Sequence, residues 1–168
     1  MKVCVCADSH GKPGDIQRIL DIERSRALLF LGDGERDLDD VTIPEGVLFE
    51  GVCGNGDPVT MLQKRRLIRL EELKVLMTHG HDYHVKNTLS MLEYDARRFG
   101  AQVVLFGHTH QQFAEERSGA LFLNPGSIWA REQYAVLDVC GQTVCYTLKR
   151  LEQEGARIQK QGRWQAEK

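Results

Sequence analysis

Five short apolar runs in this sequence each end in a cluster of glycine, carboxylate, amide or histidine residues. The runs span residues 1–7, 27–31, 47–52, 73–77 and 103–106. The clusters that follow them are Asp8-Ser9-His10, Gly32-Asp33-Gly34, Gly54-Asn55-Gly56-Asp57, Thr78-His79-Gly80-His81 and Gly107-His108-Thr109-His110. Short apolar runs that end in turn residues predict buried strands. Because the carboxyl ends of parallel strands share one edge of an open α/β sheet, we expect the five clusters to converge.

The spacing of the apolar residues predicts two helices and a C-terminal third rich in strands. Residues 14–26 carry Ile16, Ile19 and Leu20 at near-helical spacing between the first two runs, which gives a β-α-β opening. Residues 84–99 repeat apolar residues every three or four positions, as an amphipathic helix does. The runs at 112–115, 120–123, 134–139 and 143–148 predict antiparallel hairpins. We expect one domain over residues 1–150, followed by a polar tail or helix over 151–168.

Composition and charge argue against two classes of partner. The 168 residues carry a formal net charge of −2, so the chain lacks the basic field that binds nucleic acid nonspecifically. No run reaches the roughly 20 apolar residues of a membrane span, and the N-terminal run stops too early for a secretory leader. The five cysteines, mostly within strand-like runs, predict reduced and buried thiols. We therefore expect a cytoplasmic protein.

The polar clusters contain seven side chains that are suited to binding metal ions. They are Asp8, His10, Asp33, Asn55, His79, His108 and His110. A mixture of carboxylate, amide and imidazole donors favours first-row transition metals over calcium or magnesium. Side chains at positions i and i+2 of an extended segment point to the same side, so His108 and His110 can serve one metal or two neighbouring metals. Seven donors exceed one four-coordinate site. We expect two divalent ions, Mn²⁺ first, with Ni²⁺, Fe²⁺ or Zn²⁺ as alternatives.

The charge of such a centre predicts the kind of substrate. Two divalent cations and two aspartates would leave about +2 before hydroxide binds, so the centre would attract an anion. A hydroxide that bridges the two metals would be a nucleophile at neutral pH, and the same ions could neutralise charge on a phosphoryl group. The sequence therefore predicts metal-assisted hydrolysis of a phosphoester.

Taken in order, the motifs D-x-H, G-D, G-N-x-D, T-H-G-H and G-H-T-H resemble those of the calcineurin-like metallophosphoesterase superfamily. The resemblance is closest to its small bacterial and archaeal phosphodiesterases. It implies an α/β fold in a four-layer αββα sandwich, with two mixed sheets flanked by helices. It also implies one metal held by Asp8, His10, Asp33 and His110 and another held by Asp33, Asn55, His79 and His108. Asp33 would then bridge the two ions.

The resemblance also guides the assignment of catalytic and substrate-binding residues. We predict catalytic roles for Asn55 and Asp57, and substrate contacts for Gly56, His81 and Ser127. Many superfamily members carry a histidine, thought to assist the leaving group, where this chain has Gly56. The small phosphodiesterases often have a cysteine at the position of Gly56. They often have an arginine before the motif, at the position where this chain has Cys53. Without a side-chain acid, hydrolysis should favour leaving groups that need little protonation. We therefore predict faster turnover of an activated aryl diester than of an alkyl phosphomonoester.

Several alternatives remain open at this point. The superfamily includes a retromer subunit that uses the fold as a non-catalytic protein-binding module, and a phosphomonoesterase or phosphoprotein phosphatase is a further alternative. Residues 79–84 also resemble the H-x-H-x-D-H motif of metallo-β-lactamase-like hydrolases, with the aspartate one residue early. The acidic residues over 35–40 are interpreted as a solvated helix face, and Trp129 either lines the substrate opening or packs on the surface. The expected partner is a small phosphoester, with a homo-oligomer left open.

Overall fold

Two mixed sheets and the helices on their outer faces make up the fold, as a computed structural model of residues 1–166 shows. The strands are β1 (Lys2–Cys6), β2 (Ala27–Phe30), β3 (Leu48–Gly51), β4 (Arg65–Leu70), β5 (Leu73–Thr78), β6 (Val103–Phe106), β7 (Gln112–Arg117), β8 (Ala120–Pro125), β9 (Gln133–Cys140), β10 (Thr143–Leu151) and β11 (Ala156–Gln165). The α-helices are α1 (Pro13–Glu23), α2 (Ser90–Phe99) and α3 (Ile128–Arg131), and two short 3-10 helices span Glu35–Asp40 and His81–Tyr83.

The first sheet has six strands in the order β11-β10-β9-β1-β2-β3, and the second has five in the order β4-β5-β6-β8-β7. Strands β1, β2 and β3 run parallel along one side of the first sheet, and β5, β6 and β8 run parallel inside the second, while the remaining strands pair antiparallel. These parallel strands carry the apolar runs of the sequence. Their carboxyl ends therefore deliver the polar clusters to the same end of the molecule.

The core forms three layers of contact between the sheets and helices. Alternate residues of β1 face opposite sides, so Val3 and Val5 pack between the two sheets whereas Cys4 and Cys6 pack against α1. Helix α1 covers the first sheet with Ile16 and Ile19, and helix α2 covers the second sheet in the same way with Leu92 and Ala96. This arrangement confirms the expected four-layer αββα sandwich.

Three elements differ from the sequence-based expectations. The predicted tail or helix over 151–168 is wrong for residues 156–165, which form β11 along β10; residues 167–168 lie outside the described residues. The helix expected over 84–99 begins only at Ser90, because His84 takes a left-handed backbone (φ 51°) that ends the preceding turn. The edge strand β4 was not among the predicted strands.

The cysteines only partly match the expectation of buried thiols. Cys4, Cys6 and Cys53 are buried, but Cys140 and Cys145 are exposed, because each points away from the core where β9 and β10 pair. All five are free thiols. None of the helices within residues 1–166 is long and apolar enough to cross a membrane.

Candidate metal centre

The loops after β1, β2, β5 and β6 meet at one end of the two sheets and are joined by backbone hydrogen bonds. The Asp8 N–H donates to the Gly32 carbonyl over 2.9 Å, and the Gly107 N–H donates to the His79 carbonyl over 3.0 Å. The N-cap positions of α1 and of the 3-10 helix at 35–40 are Lys12 and Gly34, so neither Asp8 nor Asp33 serves as a helix cap. The convergence expected from the sequence is therefore present.

Five of the seven expected ligands have a left-handed backbone. Asp8, His10, Asp33, His108 and His110 have φ angles of 53°, 40°, 58°, 66° and 56°. Residues other than glycine adopt this conformation at a cost of about 1–3 kcal/mol each, and they persist in it where the surroundings enforce it. These backbone conformations turn the five side chains toward one another, so the fold accepts a local energetic cost in order to bring the candidate ligands together.

A first group contains the carboxylate of Asp8 and the imidazoles of His10 and His110, whose donor atoms all lie within 4.8 Å of one another. Asp8 Oδ1 is 3.2 Å from His110 Nε2 and 3.9 Å from His79 Nε2. Within residues 1–166 this buried oxygen has no hydrogen-bond partner. A buried carboxylate oxygen that faces imidazole nitrogens without accepting a hydrogen bond is suited to a cation.

A second group contains Asp33, His79 and His108, again with donor atoms within 4.8 Å of one another. His79 is fully buried, and its Nδ1 lies 2.8 Å from the Leu31 carbonyl oxygen, which requires the proton to be on Nδ1. Its Nε2 is thereby left as an electron-pair donor, 3.1 Å from His108 Nδ1. Burial above all, and then the nearby charges of His79 and Lys86, lower the pKa of His108 to about 4. His108 is thus prepared to bind a metal as a neutral imidazole, and His79 offers the electron pair of its Nε2.

Asp33 belongs to the second group and also faces a histidine of the first. Its Oδ2 atom is 3.7 Å from His10 Nε2 in the first group and 3.4 Å from His79 Nε2 in the second. Its other oxygen, Oδ1, accepts a hydrogen bond from the Gly56 N–H over 2.6 Å. One carboxylate oxygen is therefore fixed by the backbone, and the other faces donors of both groups.

The loop at 54–57 supports Asp33 from the other side. A Cβ atom at Gly54 would lie 2.0 Å from Asp33 Oδ1, so only glycine fits there. Asn55 follows as an exposed residue next to Gly56. At Gly56 a Cβ would lie 3.1 Å from Asp33 Oδ1, which leaves little room for a side chain unless the carboxylate shifts.

Asp57, for which the sequence predicts a catalytic role, has both carboxylate oxygens engaged by backbone donors. Its carboxylate accepts four backbone hydrogen bonds of 2.8–2.9 Å, from the N–H groups of Asp33, Gly34, Glu35 and Gly54. Burial alone would raise the pKa of Asp57, but these four donors lower it. Because both oxygens are occupied, the structure makes Asp57 the residue that ties the 33–35 loop to the 54–57 loop.

The residues expected to contact the substrate differ in their exposure. Ser127 is fully buried, and its hydroxyl donates to the Asp8 carbonyl and accepts from the Ala130 N–H, so the structure shows it as a residue that positions the Asp8 loop. Gly56 is exposed beside Asp33. His81 is partly exposed, and its ring centroid lies 5.3 Å from that of His79. Burial, as the main cause, lowers the pKa of His81.

One structural residue of the site was misread from the sequence. Asp37 belongs to the acidic stretch interpreted as a solvated face, but it is buried. Its Oδ2 accepts from the Ser9 hydroxyl over 2.5 Å and from the Gly11 N–H over 2.9 Å, so it holds the 8–11 loop. The residues next to Asp37 in the sequence give no signal for this role, because both of its hydrogen-bond partners lie in the 8–11 loop.

Comparison with known proteins agrees with this geometry. Residues 1–142 match the family model described as the calcineurin-like phosphoesterase superfamily domain. The chain is 33% identical over 142 residues to the probable metallophosphoesterase YsnB of Bacillus subtilis, which covers 82% of this chain and 83% of that protein. It is 26% identical over 155 residues to the phosphodiesterase YfcE of Escherichia coli, with 76% and 79% covered.

Solved structures show the same fold at lower sequence identity. Wild-type Vps29 of Entamoeba histolytica, solved in complex with zinc, superposes with a TM-score of 0.78 at 22% identity, covering 98% of this chain and 99% of that one. The match to the family model extends over most of the sequence and contains all the residues of the two groups. The chain therefore belongs to the calcineurin-like phosphoesterase superfamily.

Proposed function

We propose that this protein is a phosphodiesterase that uses two divalent cations, Mn²⁺ first among them. The observation that carries the proposal is the position of Asp33, whose Oδ2 lies 3.7 Å from a histidine nitrogen of one group and 3.4 Å from a histidine nitrogen of the other. When bound, two such ions supply a hydroxide nucleophile at neutral pH and neutralise charge on the phosphoryl group. The names of the relatives, metallophosphoesterase and phosphodiesterase, support the same reaction class.

The full ligand sets add Asp33 to the first group and Asn55 to the second, as the family resemblance implies. The first ion would be held by Asp8, His10, Asp33 and His110, and the second by Asp33, Asn55, His79 and His108. Neutral imidazole and amide ligands add no charge, so two divalent ions with two aspartates leave about +2 for an anionic substrate. Asp57 and Asp37 take no part in binding the ions and keep the ligand loops in place.

The kind of leaving group that we expect depends on Gly56, which offers no side chain as a proton donor. No side chain projects from this position to protonate a departing oxygen, and a Cβ there would already approach Asp33 Oδ1 at 3.1 Å. Leaving groups of low pKa need no such proton. We therefore assign to this protein diesters with aryl or similarly acidic leaving groups, rather than alkyl monoesters.

The five free thiols support a reducing compartment, such as the cytoplasm, as its location.

A substrate panel on metal-free protein tests the function. Bis(p-nitrophenyl) phosphate, p-nitrophenyl phosphate and an alkyl monoester would be assayed after restoring Mn²⁺, Ni²⁺, Fe²⁺ or Zn²⁺ in turn. We expect hydrolysis only with a metal, and the highest kcat/KM with the diester. Asp33→Asn should lower kcat/KM by more than about a hundredfold, because replacing even an outer partner of a metal ligand costs ~10–100-fold. His84→Gln is the matched control, since this exposed histidine lies in neither group.

Two results would contradict the proposal. Activity that survives chelation would exclude the metal mechanism, and a preference for the monoester at equal metal loading would exclude the diester assignment. The alternative is a non-catalytic binding module, which the likeness in fold to Vps29 brings forward; Vps29 of Chaetomium thermophilum has been solved with a cyclic peptide. A binding module would bind metal without any metal-dependent hydrolysis. The presence of a donor side chain at all seven ligand positions favours the enzyme.

A further inference from the structure

Trp129 is a large aromatic residue at the edge of the metal centre. Its side chain is 52% exposed, and its ring centroid lies 5.7 Å from that of His10 and 6.2 Å from that of His110. Both histidines belong to the first group of metal-binding residues. Trp164, at 6% exposure within the core between the sheets, shows how the same residue type looks when it serves packing. Trp129 instead presents half of its surface to solvent beside two expected ligands.

The backbone of Trp129 is fixed to the site. Its N–H donates to the Asp8 carbonyl over 3.0 Å, and the same carbonyl accepts from the Ser127 hydroxyl, also over 3.0 Å. Ser127 in turn caps α3, the short helix that carries Trp129. The backbone that carries the indole is therefore positioned by the loop that positions Asp8.

We propose that Trp129 is the stacking surface for a planar ring, a nucleobase or an aryl group, carried by one ester oxygen of the substrate. This inference rests on the proposed phosphodiesterase function and names its substrate class. A phosphoryl group at the ions would extend its ester substituents past the ligand side chains, where the indole lies. Aromatic stacking suits an exposed, rigid indole and tolerates any flat ring. It also agrees with the preference for acidic leaving groups, of which aryl oxygens are an example.

A second opening leaves space for the other ester group of a diester. A cavity of about 280 Å³ borders His10, and Arg36, Gly56 and the exposed Val59 are among the residues that line it. His10 thus contacts the indole and also lines this cavity. One ester group could stack on Trp129 while the other enters the cavity, so a diester makes use of both openings.

Equilibrium binding to Mn²⁺-loaded protein tests the inference without using turnover. Adenosine 5′-monophosphate, ribose 5-phosphate, phenyl phosphate and inorganic phosphate would be titrated calorimetrically into wild type, Trp129→Ala and Trp129→Phe. We expect Trp129→Ala to weaken binding of the two aromatic ligands roughly tenfold and of the other two less than twofold, and Trp129→Phe to restore most of the loss. Tyr94→Ala is the control, since this tyrosine is 63% exposed on α2 and should have no effect.

The four ligands separate the outcomes. A loss confined to adenosine 5′-monophosphate identifies a nucleoside ester, and a loss shared with phenyl phosphate identifies any flat ring. Equal losses for inorganic phosphate would show that Trp129 only supports the ligand histidines, and no loss at all would show that it has no contact with the substrate; either result overturns the inference. If wild type binds these ligands but hydrolyses no ester, the proposed function fails while the binding preference of Trp129 is still measured.

Discussion

Asp33 depends on contacts that reach it from a loop more than twenty residues away. Its N–H donates to Asp57 Oδ2 over 2.9 Å, its Oδ1 accepts from the Gly56 N–H, and the backbone of Gly54 packs directly against its carboxylate. Asp33 is thus placed by two glycines and by a carboxylate that belong to neither group of candidate metal ligands. A change in this second loop should act on metal binding through Asp33.

Gly54→Ala should therefore weaken metal binding without removing a ligand. The new methyl group would lie 2.0 Å from Asp33 Oδ1 and 2.6 Å from Asp33 N, so the carboxylate must move. We expect Mn²⁺ affinity to fall more than tenfold and the free energy of unfolding to fall by about 2 kcal/mol, which is typical of forced overpacking. Calorimetric Mn²⁺ titration and urea unfolding measure the two effects. Gly14→Ala, where a Cβ meets nothing within 4 Å, is the control; wild-type affinity in Gly54→Ala would refute the argument.

At this scale the sequence predicts which residues could bind metal but not which residues place them. Carboxylate, amide and imidazole side chains in turns after strands are recognisable because their chemistry is local. The positioning roles of Asp37, Asp57 and Ser127 depend on backbone groups of other loops, at separations of 26, 24 and 119 residues. No local pattern in the chain contains those partners, so the sequence gives no signal for the positioning role of any of the three.

At the level of elements, strands that carry their own apolar signal were predictable and strands defined by their partners were not. Strand β6 has the predicted bounds because all four of its residues are buried. Six of the ten residues of strand β11 are polar or charged and Trp164 is its only buried residue, so the strand forms because β10 offers it a hydrogen-bonding edge. In β4 the arginines Arg65, Arg66 and Arg69 conceal the alternation of its apolar residues. Pairing of this kind is a property of the sheet, not of the segment.

Helix α1 is joined to the first sheet by a buried glutamate at its last residue. Glu23, only 4% exposed, accepts hydrogen bonds from the Tyr134 hydroxyl over 2.6 Å and from Lys149 Nζ over 2.8 Å, and it pairs with Lys2 at 2.8 Å. These partners come from β9, β10 and β1. Burial alone would raise the pKa of Glu23, but the hydrogen bonds from Lys149, Lys2 and Tyr134 together lower it.

The lowered pKa makes this link sensitive to acid. Because the folded-state pKa lies below the ordinary glutamate value of about 4.3, the stabilisation is complete above that pH and is lost as the pH falls through the folded-state pKa. Glu23→Gln should lower the free energy of unfolding by about 2 kcal/mol at pH 7. The difference from wild type should shrink below about pH 4, as urea unfolding at both pH values would show. Asp21→Asn, on an exposed residue of α1, should change little; a difference independent of pH would contradict this account.

The candidate metal centre takes its side chains from the ends of both sheets. Asp8, His10 and Asp33 follow strands of the first sheet, whereas His79, His108 and His110 follow strands of the second. Each of the two groups takes residues from both sheets. The sheets otherwise meet through an apolar core, and hydrophobic contacts have no preferred direction. Bound ions would therefore connect the two halves of the sandwich, so metal binding and global stability should be linked.

Metal should raise the melting temperature of wild type, and Asp33→Asn should remove most of the increase. A ligand at a hundred times its Kd stabilises the native state by about 2.7 kcal/mol, which corresponds to roughly 5–10 °C for a chain of this size. Scanning calorimetry of chelator-treated protein with and without Mn²⁺ measures the shift. His84→Gln should retain it in full, since this histidine is outside both groups. The same increase in Asp33→Asn would show that the ions bind without Asp33, and the aspartate would then not link the two sheets through metal.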